Sequence, residues 1–361
     1  MSDHGSVVTV TGRIDPEDVG VTLPHEHIFT SFNDDKYDPP SSAVERRMAE
    51  EPVSLDNRWW IMTNPLANKD NLRLDSMEDA VYEISRFRHA GGDTVVDVSP
   101  KNKSGDPERV RAVALETGVN IVHGTAFYTR GSHPPRIDDM TVEEIADEFV
   151  DDVRNGISGT DVRAGIIGEV GVSAGIHPQE KKVLQAGARA ALRTGAPLSI
   201  HPPFDRTEEN TTSKQCLEVL DLVEDEGLAP ERVILCHRDQ SKWFEADLTH
   251  QAELIDRGAY VEYDLFGHPE FYHVGVGDAQ PSDLDRVKFL VEHIEAGRSN
   301  RLLLSHDIYM KIFLTRYGGY GYDHILRNIV PTLEREGVSS DDIDQMLVEN
   351  PREILTFDSP A

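Results

Sequence analysis

The sequence predicts a (β/α)8 TIM barrel of the α/β class, and three observations support this. Eight short apolar runs rich in β-branched residues are spread along the 361 residues. Longer amphipathic segments separate these runs, and several of the segments end in glycine, as helices often do. No G-x-G-x-x-G motif follows the first run, so the usual sign of an open dinucleotide-binding sheet is missing. Eight βα units in one chain of this length favour a closed barrel.

The predicted strands are almost continuously apolar, which is typical of a parallel sheet covered on both faces. They span residues 20–28, 93–100, 118–127, 163–172, 196–204, 232–239, 259–267 and 301–309. Residues 7–20 predict a short N-terminal β-hairpin under the barrel floor. Residues 30–71 form a long first βα loop, and long loops in compact domains are often lids or binding loops. No repeat or linker interrupts the pattern, so we predict a single domain over residues 1–361.

The composition narrows the choice of partners and compartment. The formal net charge of −29 argues against nucleic acid or an anionic membrane as a partner. The N-terminus shows no signal-peptide pattern and no run reaches transmembrane length, so a cytoplasmic protein is expected. The acids are scattered along the chain and arginine outnumbers lysine. This pattern is typical of halophilic proteins and suggests a halophilic archaeon as the source, although a generic acidic enzyme surface would look similar.

Polar side chains stand at the ends of five predicted strands, where barrel enzymes place their chemistry. His25 and His27 are two residues apart, so both rings face the barrel interior and Glu26 between them faces away. The residues predicted to converge on one mouth are His25, His27, Glu169, His201, His237 and Asp307. A lone histidine in an apolar strand is usually a satisfied core residue. Six such side chains at corresponding strand ends instead indicate a metal site.

Imidazole and carboxylate ligands suit zinc, and also manganese, cobalt or iron. Six ligands exceed the need of one tetrahedral zinc, so we expect two divalent ions joined by a carboxylate and a water. With only Cys216 and Cys236 in the chain, a Cys-rich zinc site and a disulfide framework are excluded.

Four motifs, "GVTLPHEHIF", "IHPPF", "LCHRD" and "LSHDIY", together with the closing "RYGGYGYDHI", resemble the phosphotriesterase-like family of the amidohydrolase superfamily. The resemblance covers the barrel from its first strand to its last. It implies that His25, His27 and Asp307 bind the more buried ion. It assigns His201 and His237 to the more exposed ion, and it suggests a homodimer.

The fourth strand departs from much of that family, which bridges its two ions with a carboxylated lysine. Here the strand reads "AGIIGEVGVS", and no lysine lies between Lys103 and Lys181. Glu169 offers the same two oxygens, which resembles the branch of the family with a "GEVG"-type motif. The alternative is that Glu169 only hydrogen-bonds near the mouth of a site with one metal.

The resemblance favours a lactonase, with a sugar lactone as the first choice of substrate and phosphotriester cleavage as a side activity. A hydroxide between the ions would attack the carbonyl, and Asp307 would carry its proton to the leaving oxygen. Lys311 and Arg316 could bind an anionic group of the substrate, or they could simply face solvent or pair with a helix. Tyr128 and His268 could line the pocket, or they could be ordinary loop residues.

Three rival functions stay open at this stage. The same site would serve a phosphotriesterase or arylesterase, because both reactions pass through oxyanions that metals stabilise. A mononuclear amidohydrolase or deaminase would need one ion rather than two. A non-catalytic ligand-binding barrel would keep the fold alone, and the complete ligand set argues against it.

Overall fold

The computed structural model describes residues 3–33, 36–103, 106–203, 212–240, 244–269 and 280–360. It confirms the predicted (β/α)8 barrel. Its strands are β3, β6, β7, β8, β9, β10, β11 and β12, all parallel and neighbours in chain order. They span Thr22–Glu26, Thr94–Asp97, Asn120–Thr125, Ile166–Gly171, Leu198–His201, Val233–Leu235, Tyr260–Tyr263 and Leu302–Leu304.

The observed strands are shorter than the predicted runs, mostly at their carboxyl ends. The sixth run was predicted over residues 232–239, but β10 ends at Leu235. His237, two residues later, has a φ of 55°, a left-handed conformation that no strand accommodates. The chain therefore leaves the sheet before His237 and turns at the barrel mouth.

Helices separate the strands and form the outer layer. The longer ones are α3, α4, α5, α6, α7, α8 and α9, over Met77–His89, Pro107–Thr117, Val142–Arg154, Pro178–Thr194, Thr212–Asp225, Phe244–Asp256 and Asp283–Glu295. Short helices α10 (Val330–Arg335), α11 (Ser340–Asp344) and α12 (Asn350–Leu355) follow the last strand. Thr141 and Ser282 begin α5 and α9 with reciprocal capping boxes, which satisfy backbone donors at each helix start. Gly118 and Gly195 end α4 and α6 in the left-handed conformation, as the terminal glycines predict.

The N-terminal hairpin lies where the sequence places it, at the barrel floor. Strands β1 (Val7–Thr9) and β2 (Gly12–Ile14) pair antiparallel. The amide of Val10 then donates to the carbonyl of Ile121 near the start of β7. This covers the amino ends of the strands and leaves the carboxyl ends for the site.

The long first connection is built from regular pieces rather than open loop. Strand β4 (Thr30–Ser31) pairs with β5 (Arg73–Leu74), so the connection begins and ends at one small ribbon. Helices α1 (Ala43–Glu50) and α2 (Arg58–Thr63) lie between them. The buried side chain of Asn68 donates to the carbonyls of Met48 and Glu51, which fixes α1 against the later part of the connection.

Side chains close the seam between the first and last barrel strands. Ser305 accepts from the amide of His25 and donates to the His25 carbonyl. Glu26, fully buried, accepts from the amides of His306 and Ile308, and its Oε1 lies 2.9 Å from the Ser305 hydroxyl oxygen. Glu26 thus faces away from the barrel interior, as predicted. It ties the first strand to the turn that carries Asp307. Within the part of the chain that the structure describes, no helix has the length and apolarity to cross a membrane.

Candidate metal centre

The structure brings the six predicted ligands together at the carboxyl ends of the strands. Two histidines at the end of the first barrel strand face a carboxylate that follows the last strand. His27 Nε2 lies 3.0 Å from Asp307 Oδ1, and His25 Nε2 lies 3.6 Å from the same oxygen. Glu169 adds its Oε1 at 3.5 Å from His27 Nε2. These residues are at most 7% exposed, so they form a buried ligand group.

A second group shares Glu169. Its other oxygen, Oε2, lies 3.0 Å from His201 Nδ1 and 3.8 Å from His237 Nε2. The two imidazole nitrogens are 3.0 Å apart. Glu169 thus directs Oε1 toward His27 and Oε2 toward His201 and His237, and His25 Nε2 lies 4.0 Å from Oε2. This is the arrangement that a carboxylate bridge between two ions requires.

The backbone turns sharply at two of the ligands. Both His237 and Asp307 have positive φ, 55° and 49°, which is uncommon outside glycine. Register shifts also occur in the pairing of β3 with β6 and of β8 with β9, the strands that carry His25 and Glu169. Such irregularities re-aim side chains, and they cluster at functional sites.

Outer hydrogen bonds hold three of the imidazole rings in one orientation. His237 Nδ1 lies 2.8 Å from Asp264 Oδ1, and His25 Nδ1 lies 3.2 Å from Asp264 Oδ2 and 3.3 Å from Glu262 Oε2. His27 Nδ1 lies 2.9 Å from the Ser99 hydroxyl. With Nδ1 bonded outward, each ring directs Nε2 into the site, the tautomer control that metal-binding histidines usually show.

Burial and neighbouring charges shift the pKa values of three side chains in the centre. Burial lowers the pKa of His201 to about 4, so this ring is neutral near pH 7. Burial opposes ionisation of Asp307, but the contact with His27 and nearby imidazoles holds its pKa below the ordinary value. Burial also disfavours charge on His237, yet Asp264 outweighs it and raises the pKa of His237 to about 10. A cation bound to Nε2 would take the place of that proton.

These residues fit divalent metal ions. His25 Nε2 is buried and has no hydrogen-bond partner, although it faces Asp307 and lies 4.0 Å from Glu169 Oε2. Ligand atoms bound to one zinc at about 2.1 Å stand roughly 3–4 Å apart, and these gaps match that spacing. Four groups of histidine, carboxylate and cysteine atoms close enough to hold an ion occur among the described residues, and three of them use only the six ligands.

A cavity of about 130 Å³ opens onto the centre. Tyr128 and His268, both predicted as pocket residues, line it. The Tyr128 hydroxyl lies 3.2 Å from His201 Nε2. His268 stacks on Phe313 with ring centroids 4.2 Å apart and contacts the Asp307 carbonyl through Nε2 at 3.2 Å, so it also supports the Asp307 turn.

Lys311 and Arg316 do not reach this cavity, which corrects the predicted role for them. Lys311 is buried and its ammonium lies 2.6 Å from Asp70. Arg316 pairs with Glu78 and Asp79 at the start of α3. Both cations neutralise carboxylates that tie the segment after the last strand to neighbouring elements. Neither is among the described residues that line the cavity.

Sequence reasoning missed three residues that contribute to the centre and its cavity. Asp264 directly follows the seventh barrel strand, and the strand-end rule used for the other ligands would have found it. Tyr309 lines the cavity two residues after Asp307, in the segment that follows the last strand, where strand alternation gives no guide. Lys36 lines the cavity from the first connection, and no periodic pattern marks it.

Fold and site together define a barrel hydrolase of the kind that acts on ester or amide bonds. The chain belongs to the phosphotriesterase family, and the sequence model of that family matches residues 5–355. Among curated relatives, an N-acetyltaurine hydrolase from Xenopus tropicalis is 38% identical over 98% of each chain.

Solved structures show the same barrel. A resiniferatoxin-binding protein from Rhodobacter sphaeroides superposes with a TM-score of 0.90 at 35% identity, covering 98% of each chain. A lactonase from Listeria monocytogenes shares the fold with a TM-score of 0.74, at 22% identity and covering 98% of this chain and 100% of its own.

Proposed function

We propose that this protein is a binuclear metal-dependent hydrolase of small N-acyl amides that carry an acidic group, with N-acetyltaurine as the leading substrate. The observation that carries the proposal is the placement of Glu169, with Oε1 toward His27 and Oε2 toward His201 and His237. Zinc suits this ligand set best. The amide replaces the lactone as first choice because an N-acetyltaurine hydrolase is 38% identical over nearly the whole chain, whereas the lactonase shares only the fold.

In the proposed reaction the metal ions and the side chains have separate tasks. Divalent ions, when bound, polarise a substrate oxygen and lower the pKa of a water toward about 7. His25, His27, His201 and His237 would hold the ions, with Glu169 between them. The cavity wall formed by Phe32, Leu265 and Tyr309 excludes bulk water from the acyl group.

Asp307 is the group best placed to move a proton. Its carboxylate lines the cavity, and its lowered pKa keeps it ionised near neutral pH. It can take a proton from the attacking water and pass it to the amide nitrogen as the C–N bond breaks. An amine is a poor leaving group without that proton, so Asp307 matters more for an amide than for an ester.

Lactones remain a second candidate, because the closing motif of the chain resembles lactonases and a ring ester presents the same carbonyl. A substrate panel on protein loaded with zinc, manganese or cobalt separates the candidates. We expect the highest kcat/KM with N-acetyltaurine, lower values with lactones, and traces with aryl esters or phosphotriesters. Turnover of a lactone at a higher kcat/KM than every amide would contradict the amide proposal.

The role of the centre is tested by Asp307→Asn and Glu169→Ala. We expect turnover to fall by about 10²–10⁴-fold, the usual contribution of proton transfer, for Asp307→Asn. Glu169→Ala should also lower bound metal below two ions per chain. Asp152→Asn is the matched control, since Asp152 is a buried carboxylate that pairs with Lys101 outside the cavity. Full activity in both site variants would overturn the binuclear mechanism.

A further inference from the structure

One buried polar atom of the cavity wall has no hydrogen-bond partner among the described residues. Gln280 lines the cavity and is 8% exposed, and its side-chain carbonyl oxygen, Oε1, is the atom concerned. An unsatisfied buried carbonyl is costly, so such an atom normally has a partner that the folded chain alone does not supply. Since Gln280 borders the cavity, that partner is a molecule inside it, either water or substrate.

The other polar groups of the cavity wall differ from Gln280 in this respect. Its imidazoles and carboxylates belong to the metal centre or support it. Lys36 donates to the Tyr128 hydroxyl at 3.4 Å. Gln240 is half-buried, so bulk water reaches it. Among the described lining residues, Gln280 Oε1 is therefore the buried acceptor that no other group of the chain uses.

The backbone fixes Gln280 at the end of the connection that leads from β11 to α9. Pro281 follows it, and the residue before a proline is restricted to extended conformations. Ser282 then begins α9 with its capping box, and Asp283 accepts from the amide of Gly267 at 3.0 Å. These contacts tie the start of α9 to the segment that follows β11, so Gln280 keeps its place in the cavity wall.

The kind of partner follows from the chemistry of Oε1. A side-chain carbonyl oxygen accepts hydrogen bonds and donates none, so it needs an N–H or O–H group. A secondary amide carries an N–H on the nitrogen whose bond to the acyl carbon breaks. A lactone or another ester has an oxygen with lone pairs at the same position. An acceptor there attracts the amide and repels the ester, so it distinguishes the two substrate classes at the scissile bond.

We propose that Gln280 Oε1 accepts the N–H of the substrate amide and thereby selects secondary amides over esters of the same shape. This inference rests on the proposed amide hydrolase function, which it deepens by naming the residue that recognises the leaving nitrogen. The oxygen of water bonds to the acyl carbon, and the C–N electron pair leaves with the nitrogen as that bond breaks. Asp307 delivers a proton of the water to the nitrogen, while the original N–H stays on it and on Gln280 Oε1. The products are the carboxylic acid and the primary amine.

A pair of substrates that differ in one atom of the scissile bond tests the inference. N-acetyltaurine has an N–H where the acetate ester of isethionate has an oxygen. Methionine is close to glutamine in shape and lacks the carbonyl. We expect Gln280→Met to lower kcat/KM for the amide by about 3- to 10-fold, as the loss of one neutral hydrogen bond predicts, and to leave the ester unchanged or raise its kcat/KM. Equal changes on amide and ester would overturn the role of Gln280.

Thermal unfolding separates this role from a structural one. Because Oε1 has no partner among the described residues, its loss should leave the Tm of the metal-loaded protein unchanged or raise it. Gln179→Met is the control variant. Gln179 is also 8% exposed, but it donates to Asp138 and its Oε1 lies 2.9 Å from His133 Nδ1, and it is not among the described lining residues. This variant should lower the Tm and keep the ratio of amide to ester turnover. A fall in Tm for Gln280→Met as large as for Gln179→Met would contradict an oxygen reserved for substrate.

Binding measurements separate this inference from the proposed function. If no amide is hydrolysed, calorimetric titration of the metal-loaded protein with N-acetyltaurine and with N-acetyl-N-methyltaurine, which lacks the N–H, decides. Weakening of N-acetyltaurine binding by about 3- to 10-fold in Gln280→Met, with a smaller change for the methylated amide, would mean that the reaction fails and the role of Gln280 stands. If N-acetyltaurine is hydrolysed and Gln280→Met keeps the wild-type ratio of amide to ester, the reaction stands and the role of Gln280 fails. Failure of the wild type to bind either amide would overturn both.

Discussion

Asp264 connects the two histidine groups of the metal centre, and its replacement by asparagine gives a quantitative test of the site. One carboxylate oxygen accepts from His237 Nδ1 at 2.8 Å, and the other lies 3.2 Å from His25 Nδ1. The His237 amide also donates to both oxygens at 3.1 Å. Asp264 thus orients one ring of each histidine group, and it is not among the described residues that line the cavity.

The expected loss of metal affinity follows from the number of hydrogen-bond acceptors that the side chain at position 264 offers. Asparagine keeps one carbonyl oxygen and replaces the other with an N–H donor, so it can accept from only one of the two imidazoles. A charge-assisted hydrogen bond of this kind contributes about 1.5–3 kcal/mol, which corresponds to roughly 10- to 100-fold in affinity. Loss of outer partners of metal-binding histidines has an effect of the same size. Asp264→Asn should therefore weaken at least one ion by that factor.

Glu262→Gln provides a graded comparison. Glu262 contacts His25 at 3.3 Å, but Asp264 would still accept from that ring. Burial raises the pKa of Glu262 to about 7, so the carboxyl is partly protonated at neutral pH and glutamine resembles that form. We expect a change in metal affinity of less than about threefold, well below the value of one full charged hydrogen bond.

Zinc affinity is measured by competition with a chromophoric chelator, and the bound metal is counted by mass spectrometry. Circular dichroism checks the fold, with Asp152→Asn as the control for loss of a buried carboxylate away from the ligands. Folded Asp264→Asn protein that binds both ions as tightly as the wild type would refute the assignment of Asp264. So would a larger loss in Glu262→Gln than in Asp264→Asn.

Two further predictions concern stability. Burial lowers the pKa of His293 to about 4, so the unfolded chain binds this proton more tightly than the folded one, and stability falls as the pH drops from about 6.5 toward 4. The loss approaches about 3 kcal/mol, and denaturant unfolding of wild type and His293→Gln between pH 7 and 4.5 should show the difference between them shrinking as the pH falls. The net charge of −29 predicts that the unfolding temperature rises from 0.1 to 2 M KCl, because salt screens repulsion among the acids. A flat or falling salt response would remove the basis for assigning a halophilic source.

The barrel was predictable because its signals are repeated and local. Eight apolar runs with helical segments between them leave few topologies, and chain connectivity then fixes the strand order. His25 and His27 could be paired from alternation alone. Strand ends were harder to place, since the turn at His237 depends on a left-handed residue inside a run that still looks apolar.

The pocket was less predictable because long-range contacts decide it. Lys311 and Arg316 follow the last strand closely and looked suited to bind an anion. Instead, Lys311 pairs with Asp70 and Arg316 pairs with Asp79, and both acids lie more than two hundred residues earlier in the chain. Lys36 reaches the cavity because β4 and β5 anchor the first connection beside the mouth, a tertiary constraint that no local pattern in residues 30–71 expresses.

Chemistry and specificity therefore come from different parts of the chain. The proposed metal ligands lie on strands or within two to three residues of a strand end, and buried partners such as Glu26, Ser99 and Asp264 fix the turns and rings that carry them. Lys36 and Phe32 belong to the first connection, which supplies none of the proposed ligands. Barrels with one catalytic centre can thus accept lactones, phosphotriesters or amides as their loops vary. For this chain the substrate preference should therefore depend on the first connection more than on the strands.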